Sequence, residues 1–403
     1  MLRFLTAGES HGPAEVAILE GIPAGLSLTI SDIQKELEKR RAGAGRGGRG
    51  QIEKDQVKIL SGVRLGKTLG SPIALIVDNQ DFANWTDSMS NNHKKPGVQP
   101  QDHPRGDIAS HTRLVTNPRP GHADLAGALK YHFDDIRNVL ERASARETIM
   151  RVAVGAVCKK LLLEFNIEIA SHTVQIGEVK LERVGPYEGP TLFNKIKNVF
   201  EIDPEIRCID PVTSQKMKQS ILEATKKRDT LGGTIEIVAH NAPVGLGSYV
   251  HYDKKLDGRL AQALMSIPSV KAVEIGDGIK NSSQLGSEVH DEIFYSKHFY
   301  RKTNRAGGIE GGVSNGQDII ARVYHKPLST LGKPLNSADI KTKKPTKALV
   351  ERSDICVVPR AGVISEAMVA FVLAQAFLEK FGSDSLGEIR RNYEGYMRSL
   401  TTI

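Results

Sequence analysis

The pentapeptide Ile22-Pro23-Ala24-Gly25-Leu26 returns later in the chain as Ala242-Pro243-Val244-Gly245-Leu246. A strand-like run precedes each copy, Ala14 to Leu19 in one case and Gly233 to Ala239 in the other. A helix-like run follows each, from about Ser31 and from about Asp257 to Met265. Proline fixes one backbone angle, and a glycine two residues on admits a left-handed turn, so both copies bend the chain from strand to helix. Two such bends point to an internal duplication, with two similar halves sharing one core instead of forming beads on a linker.

The pattern outside the two turns is mixed α and β. Arg3 to Thr6, Val57 to Val63, Pro72 to Val77, Ile167 to Val179, Val270 to Ile275 and Asp318 to Tyr324 read as strands. Ser31-Asp32-Ile33-Gln34 reads as a capping-box start, and Ile33 and Leu37 then fall on one helical face. Leu192 to Phe200 and Ser214 to Lys227 read as helices, and Ala123 to Phe165 as the longest helical stretch. Ile364 to Phe381 is apolar almost all round and is expected inside the molecule. From Asn79 to Arg119 no period is visible, as in a functional lid or a flexible surface.

Composition narrows the function classes. Hydrophobic residues make up 39% of the 403 and charged residues 25%, values of a soluble globular protein. The net charge of +8 is spread widely and suits an anionic ligand at least as well as a nucleic acid. Cys158, Cys208 and Cys356 are far apart and odd in number, which argues against a disulfide framework or a zinc site and for a reducing, cytoplasmic setting. The N-terminus lacks the apolar core of a signal peptide, and no apolar run is read as reaching membrane-spanning length.

The chemistry concentrates in Glu38 to Gly50, E-K-R-R-A-G-A-G-R-G-G-R-G. Arg40, Arg41, Arg46 and Arg49 repel one another and need an anion or open solvent between them. Guanidinium forks suit phosphate and carboxylate oxygens, and the glycines let a ligand come close. A helix C-terminus explains Arg40 and Arg41 but not Arg46 and Arg49. Gly43, Gly45 and Gly48 spell the dinucleotide fingerprint, but a helix precedes them where a strand is required, against a nicotinamide-dependent reductase. R-G-G-R-G also suits single-stranded RNA, yet no aromatic interleaves the arginines. This loop therefore reads as one wall of a site for a phosphorylated small molecule. His11 on a strand-end turn, His122 at a helix start, the pair Arg142 and Arg146, the glycines of 307–316 and Lys326-Pro327-Leu328-Ser329-Thr330 read as further walls.

In order along the chain, G-E-S-H-G at 8–12, the arginine-glycine loop at 40–50, R-P-G-H-A-D at 119–124, R-A-S-A-R-E-T at 142–148, G-D-G at 276–278, the glycines of 307–316, K-P-L-S-T at 326–330 and R-S-D at 352–354 resemble the chorismate synthase family from end to end. The resemblance implies conversion of 5-enolpyruvylshikimate 3-phosphate to chorismate by 1,4-elimination of phosphate, with reduced FMN and no net redox change. It implies an α+β fold, a β-α-β sandwich of long helices between two antiparallel sheets with an internal pseudo-two-fold repeat. One domain over 1–403 is expected, with a mobile loop at about 79–118, assembled as a homotetramer. An external flavin reductase or another NADPH-dependent source of reduced flavin is implied as partner, since no segment reads as an added reductase domain. Site roles carry over in the same way. Substrate binding falls to Arg40, Arg46, Arg49, Arg142 and Arg352. Catalysis falls to His11 as proton donor to the departing phosphate, His122 facing the flavin, Asp354 assisting uptake of the ring proton, and Ser10 and Ser144 as proton-relay serines. FMN contacts fall to Arg142, Ala143, Ser144, Pro268, Ser269, Gly311, Lys326, Pro327, Leu328, Ser329, Thr330 and Arg352. No metal is implied.

Overall fold

The computed structural model describes residues 1–46, 55–91, 114–182, 189–351 and 353–401. Arg49, Arg352 and residues 92–113 of the expected loop lie outside the described residues. Two antiparallel sheets organise the chain. The first contains β1 (Arg3–Ala7), β2 (Ala14–Glu20), β3 (Val57–Ile59) and β4 (Ile73–Asp78) in the order β1-β2-β4-β3. The second contains β5 (Glu168–Ile176), β6 (Val179–Lys180), β7 (Gly233–His240), β8 (Val270–Ile275) and β9 (Ile319–His325) in the order β8-β9-β7-β5-β6. In β4 the side chains of Ile73, Leu75 and Val77 are buried and alternate with less buried neighbours, the two-residue period of a strand with one face covered. β7 is buried along most of its length, so its alternation is blurred; Val238 packs with Phe193 and Ile196, while helix α4 (Val358–Phe381) lies against the strand as well.

Helix α2 (Thr148–Leu163) packs along α4 and also touches β2 and β4, whereas α4 touches β5 and β7. The α2–α4 contact is close because α2 carries Gly155, where a Cβ would stand 2.2 Å from the Ala367 Cβ and 2.4 Å from its Cα. Gly155→Val is therefore expected to destabilise the fold by about 1–3 kcal/mol or more, seen as a lower melting temperature or loss of soluble protein. An unchanged melt would mean that the two helices are not packed as described.

The two pentapeptides are held in the same way. Thr68 Oγ1 donates to the Pro23 carbonyl at 2.6 Å and accepts from the Leu26 N–H at 3.0 Å. Ser314 Oγ donates to the Pro243 carbonyl at 2.6 Å and accepts from the Leu246 N–H at 2.8 Å. Gly25 and Gly245 have φ of 92° and 90°, a left-handed backbone that a side chain would strain. Each turn leads into a helix, α1 (Ile30–Arg41) and α3 (Leu256–Met265). The strand order β2-β4-β3 of the first sheet matches β7-β9-β8 of the second.

Three expectations are corrected. Ala123 to Phe165 is not one helix. A helix Asp124–Tyr131 stops at His132, which is left-handed at φ 57°. Asp135 Oδ1 then accepts from the Val115 and Arg137 N–H groups, and Ser144 caps the 3-10 turn Ala145–Glu147 before α2 begins. Short polar side chains thus divert backbone groups from a continuous helix. The cap of α1 is Thr29, in a capping box with Asp32, two residues earlier than expected. Finally, α4 is long and apolar enough to span a membrane, but 89% of its most apolar window is buried in the fold.

Candidate active site

A cavity of about 520 Å³ opens where the start of α4 meets the turns at 10–11 and 119–123, the 140–149 segment, the Ile267–Ser269 corner and residues 326–330. Ser10, His11, His122, Ser144 and Asp354, expected from dispersed motifs, all line it. Arg40, Ala143, Pro268, Ser269, Lys326, Leu328, Ser329 and Thr330 line it too. Topology accounts for this gathering: the 8–12 turn is the β1–β2 connection, and the Ser10 N–H donates to the Glu141 carbonyl at 3.0 Å. Ser144 Oγ donates to Ser10 Oγ at 3.0 Å, so the two serines are in direct contact.

His11 is built in on several sides. Both Glu141 carboxylate oxygens lie 2.9 Å from its Nδ1, and its N–H donates to Glu141 Oε2 at 2.8 Å. The Trp85 ring stacks on the imidazole, centroids 3.6 Å apart, and the Arg137 guanidinium lies 5.3 Å from the Trp85 ring. Arg137 Nη1 also donates to Glu141 Oε1 at 3.0 Å. Burial works against the ionised form of Glu141, but the hydrogen bonds and charge of His11, with Arg137, outweigh it and hold the carboxyl below its usual range. With Nδ1 engaged, any proton that His11 exchanges with a ligand passes through Nε2.

His122 has a similar backing. Its Nδ1 is 2.5 Å from Asp124 Oδ1, and Asp124 also accepts from Arg119 Nε at 2.8 Å. Burial of Asp124 opposes ionisation; hydrogen bonds from His122 and Arg119 overcome that and keep its carboxyl well below the usual range. Arg119 extends to Thr330 Oγ1 at 2.9 Å, which ties the 119–124 turn to the 326–330 segment. Lys326 Nζ and Ser329 Oγ both reach the Gly121 carbonyl, at 2.7 and 2.8 Å.

The cavity is strongly cationic. Arg40, Arg119, Arg146, Lys326 and Arg360 face Glu351 and Asp354. Arg360 is paired with Asp354, yet burial first, then the charges of Arg40, Arg46 and Arg207, pushes its pKa down to about 9. A bound anion would relieve that crowding. Arg40 donates to Thr148 Oγ1 at 2.9 Å and to the Ala145 carbonyl at 3.1 Å, placing the end of α1 against the start of α2.

Other expected residues stand elsewhere. Arg142 is not in the lining; its guanidinium donates to the carbonyls of Thr6 at 2.9 Å and Gly8 at 3.1 Å. Because the 123–165 stretch is broken, Arg142 and Arg146 do not share a helical face, and Arg146 is the one at the cavity. Arg46 acts electrostatically on Arg360 without lining the cavity, and Pro327 and Gly311 are also absent from the lining. Arg49 and Arg352 lie outside the described residues. Sequence reasoning missed Trp85, Glu141, Asp124 and Arg360. Glu141 and Asp124 adjoin or belong to motifs already singled out, but Trp85 sits in a segment without period and Arg360 begins a core helix.

The chain is similar to known proteins along nearly its whole length. The family model described as chorismate synthase matches residues 2–378. The chorismate synthase of Solibacter usitatus is 49% identical over 403 residues, covering 99% of both chains. That of Geobacillus thermodenitrificans is 52% identical over 395 residues, covering 98% of both. A solved structure described as a crystal structure of chorismate synthase superposes with a TM-score of 0.77 at 40% identity, covering 100% of this chain and 99% of its own.

Proposed function

Because this chain belongs to the chorismate synthase family, we propose that it converts 5-enolpyruvylshikimate 3-phosphate to chorismate and phosphate by a 1,4-elimination that uses reduced FMN. It is a carbon–oxygen lyase acting on a phosphate-bearing substrate. The observation that carries the reading is one cavity in which Arg40, Arg119, Arg146, Lys326 and Arg360 surround His11 and His122. A substrate with one phosphate and two carboxylates matches that excess of positive charge.

The residues present also fit FMN. Ile267, Leu328, Val357 and Ile364 give the cavity an apolar surface for a flat ring system, and Lys326, Ser329 and Thr330 offer donors for polar groups at its edge. Ala143, Ser144, Pro268 and Ser269 would complete that cradle. Reduced FMN, when bound, supplies electron density to the substrate without net redox change. The protein's part is acid–base work. The carbon–oxygen bond breaks and phosphate departs with the bonding electrons, taking a proton from His11 Nε2. The ring carbon–hydrogen bond breaks, its electrons form the new double bond, and Asp354 with the Ser10–Ser144 hydroxyl pair helps carry the proton away. His122, oriented by Asp124, would hold a proton in the same cavity that would take the cofactor.

Wider features follow the same reading. We take the chain as a single domain with a β-α-β sandwich and an internal pseudo-two-fold repeat, which the matching strand orders and turn hydrogen bonds support. A homotetramer, a cytoplasmic location and an external, NADPH-dependent supply of reduced flavin complete the proposal.

Glu141→Gln keeps a group of the same shape but removes the negative charge behind His11. Turnover is expected to fall by about tenfold or more with KM little changed, and the pH–rate profile to shift. An unchanged profile would show that Glu141 only packs. The reading as a whole is tested by an anaerobic assay with chemically reduced FMN that follows phosphate release. Release equal to chorismate formed is expected, and release independent of flavin reduction would overturn it.

A further inference from the structure

A second cavity, of about 290 Å³, adjoins α1. Asp32, Glu36 and Lys39 line it, whereas Arg40 of the same helix lines the active-site cavity. Its lining holds five cations, Lys39, Lys159, Lys160, Lys197 and Arg207, against four carboxylates, Asp32, Glu36, Glu168 and Glu366. The lysines are matched. Lys159 lies 2.5 Å from both Glu36 and Glu366, Lys39 is 3.0 Å from Glu36, Lys160 is 3.2 Å from Asp32, and Lys197 pairs with Glu168.

Arg207 is the exception. It is only 3% exposed; the charges of Glu366, Glu36 and Asp203 act on it, but its direct hydrogen bonds among the described residues go to carbonyls and not to a carboxylate. Its Nη2 donates to the carbonyls of Lys39 and Ala42, and its buried Nε has no hydrogen-bond partner among the described residues. The Nε is closed off by its neighbours, whereas Nη1 is not, and Nη1 makes no hydrogen bond among the described residues, so it offers a ligand in the cavity a charged donor. The Phe200 ring covers the guanidinium at 5.0 Å, and Phe193, Ile196 and Val199 make the adjoining wall apolar.

We propose that this cavity binds a small monoanion with an apolar body, an aryl-substituted alkanoate, on Arg207, and that its occupant weakens binding of the anionic substrate in the active site. The size suits a small molecule at the low end of ligand pockets. The coupling has a physical route and rests on the proposed function, whereas the binding does not. Arg207 holds the carbonyls at the end of α1, from which Arg40 reaches Thr148 and Ala145 in the active-site wall. Arg207 is also one of the charges that act on Arg360 in that wall. An anion on Arg207 therefore draws on the same positive cluster as the substrate, and two anions sharing one cluster oppose each other reciprocally.

The test is a calorimetric titration of the full chain, without substrate or flavin, using 3-phenylpropanoate and its neutral amide. The acid is expected to bind at least about tenfold more tightly than the amide, with its carboxylate at Arg207 in a crystal structure of the complex. Arg207→Gln should remove that preference. Ala170→Met, which narrows the same cavity and leaves the Arg207 side chain in place, should weaken both ligands and covers the case in which Arg207→Gln does not fold. In steady-state assays the acid is expected to raise KM for substrate about fivefold with kcat unchanged. Equal binding of acid and amide, no binding at millimolar concentration, or a carboxylate found in the active-site cavity would overturn the site. Binding on Arg207 with unchanged KM would overturn the coupling. A chain that binds the acid but releases no phosphate in the assay would count against the proposed reaction and leave the site standing.

Discussion

His11→Ala is expected to lower turnover about 10²–10⁴-fold while substrate and FMN still bind, the usual contribution of a positioned acid–base group. The geometry makes His11 a firm choice. Glu141 engages its Nδ1 and backbone N–H, Trp85 stacks on its ring, and the residue lines the cavity. Such a setting fixes the imidazole so that Nε2 serves the ligand. The change removes one buried ring, so the variant needs a control for folding. A melting temperature near that of the parent, with turnover reduced and substrate affinity retained, is the expected pattern. Full turnover under saturating reduced FMN would make His11 structural.

Arg146→Ala is expected to raise KM for substrate by about 10–150-fold, the range that corresponds to one lost charge-assisted bond of roughly 1.5–3 kcal/mol. Arg142→Ala is its control. Arg142 holds carbonyls of the β1 end and the following turn, so its loss should lower stability more than substrate affinity. Paired measurements of KM and melting temperature on the two variants separate the roles. A larger KM effect from Arg142 than from Arg146 would reverse the assignment made from the structure.

That reversal between two neighbouring arginines shows where the sequence was legible and where it was not. Strands with one covered face, the apolar run that became α4 and the paired turns at 22–26 and 242–246 were readable because period, composition and turn chemistry are local. The gathering of His11, His122, Ser10, Ser144 and Asp354 came from the family resemblance, and the structure places all five at one cavity. Arg142 is assigned by the family resemblance, and its pairing with Arg146 rests on reading 123–165 as continuous; the Asp135 hydrogen bonds and the Ser144 cap that interrupt it depend on tertiary placement. Trp85 and Arg207 were invisible for a related reason. One lies in a stretch with no period, and the other owes its character to burial between α1 and Phe200. Periodicity reports which face is covered, not which buried cation is left without a direct carboxylate contact.

Flavin and anionic substrate are proposed to share one cavity, and titrating FMN into the protein with and without 5-enolpyruvylshikimate 3-phosphate probes that sharing. Lys326, Ser329 and Thr330 on the proposed flavin side are tied through Arg119 and Gly121 to the turn that carries His122. Each ligand should therefore help order the walls that hold the other, and the effect must be reciprocal. FMN is expected to bind at least about fivefold more tightly when substrate is present, with an altered flavin absorbance. An FMN affinity that substrate leaves unchanged would contradict it.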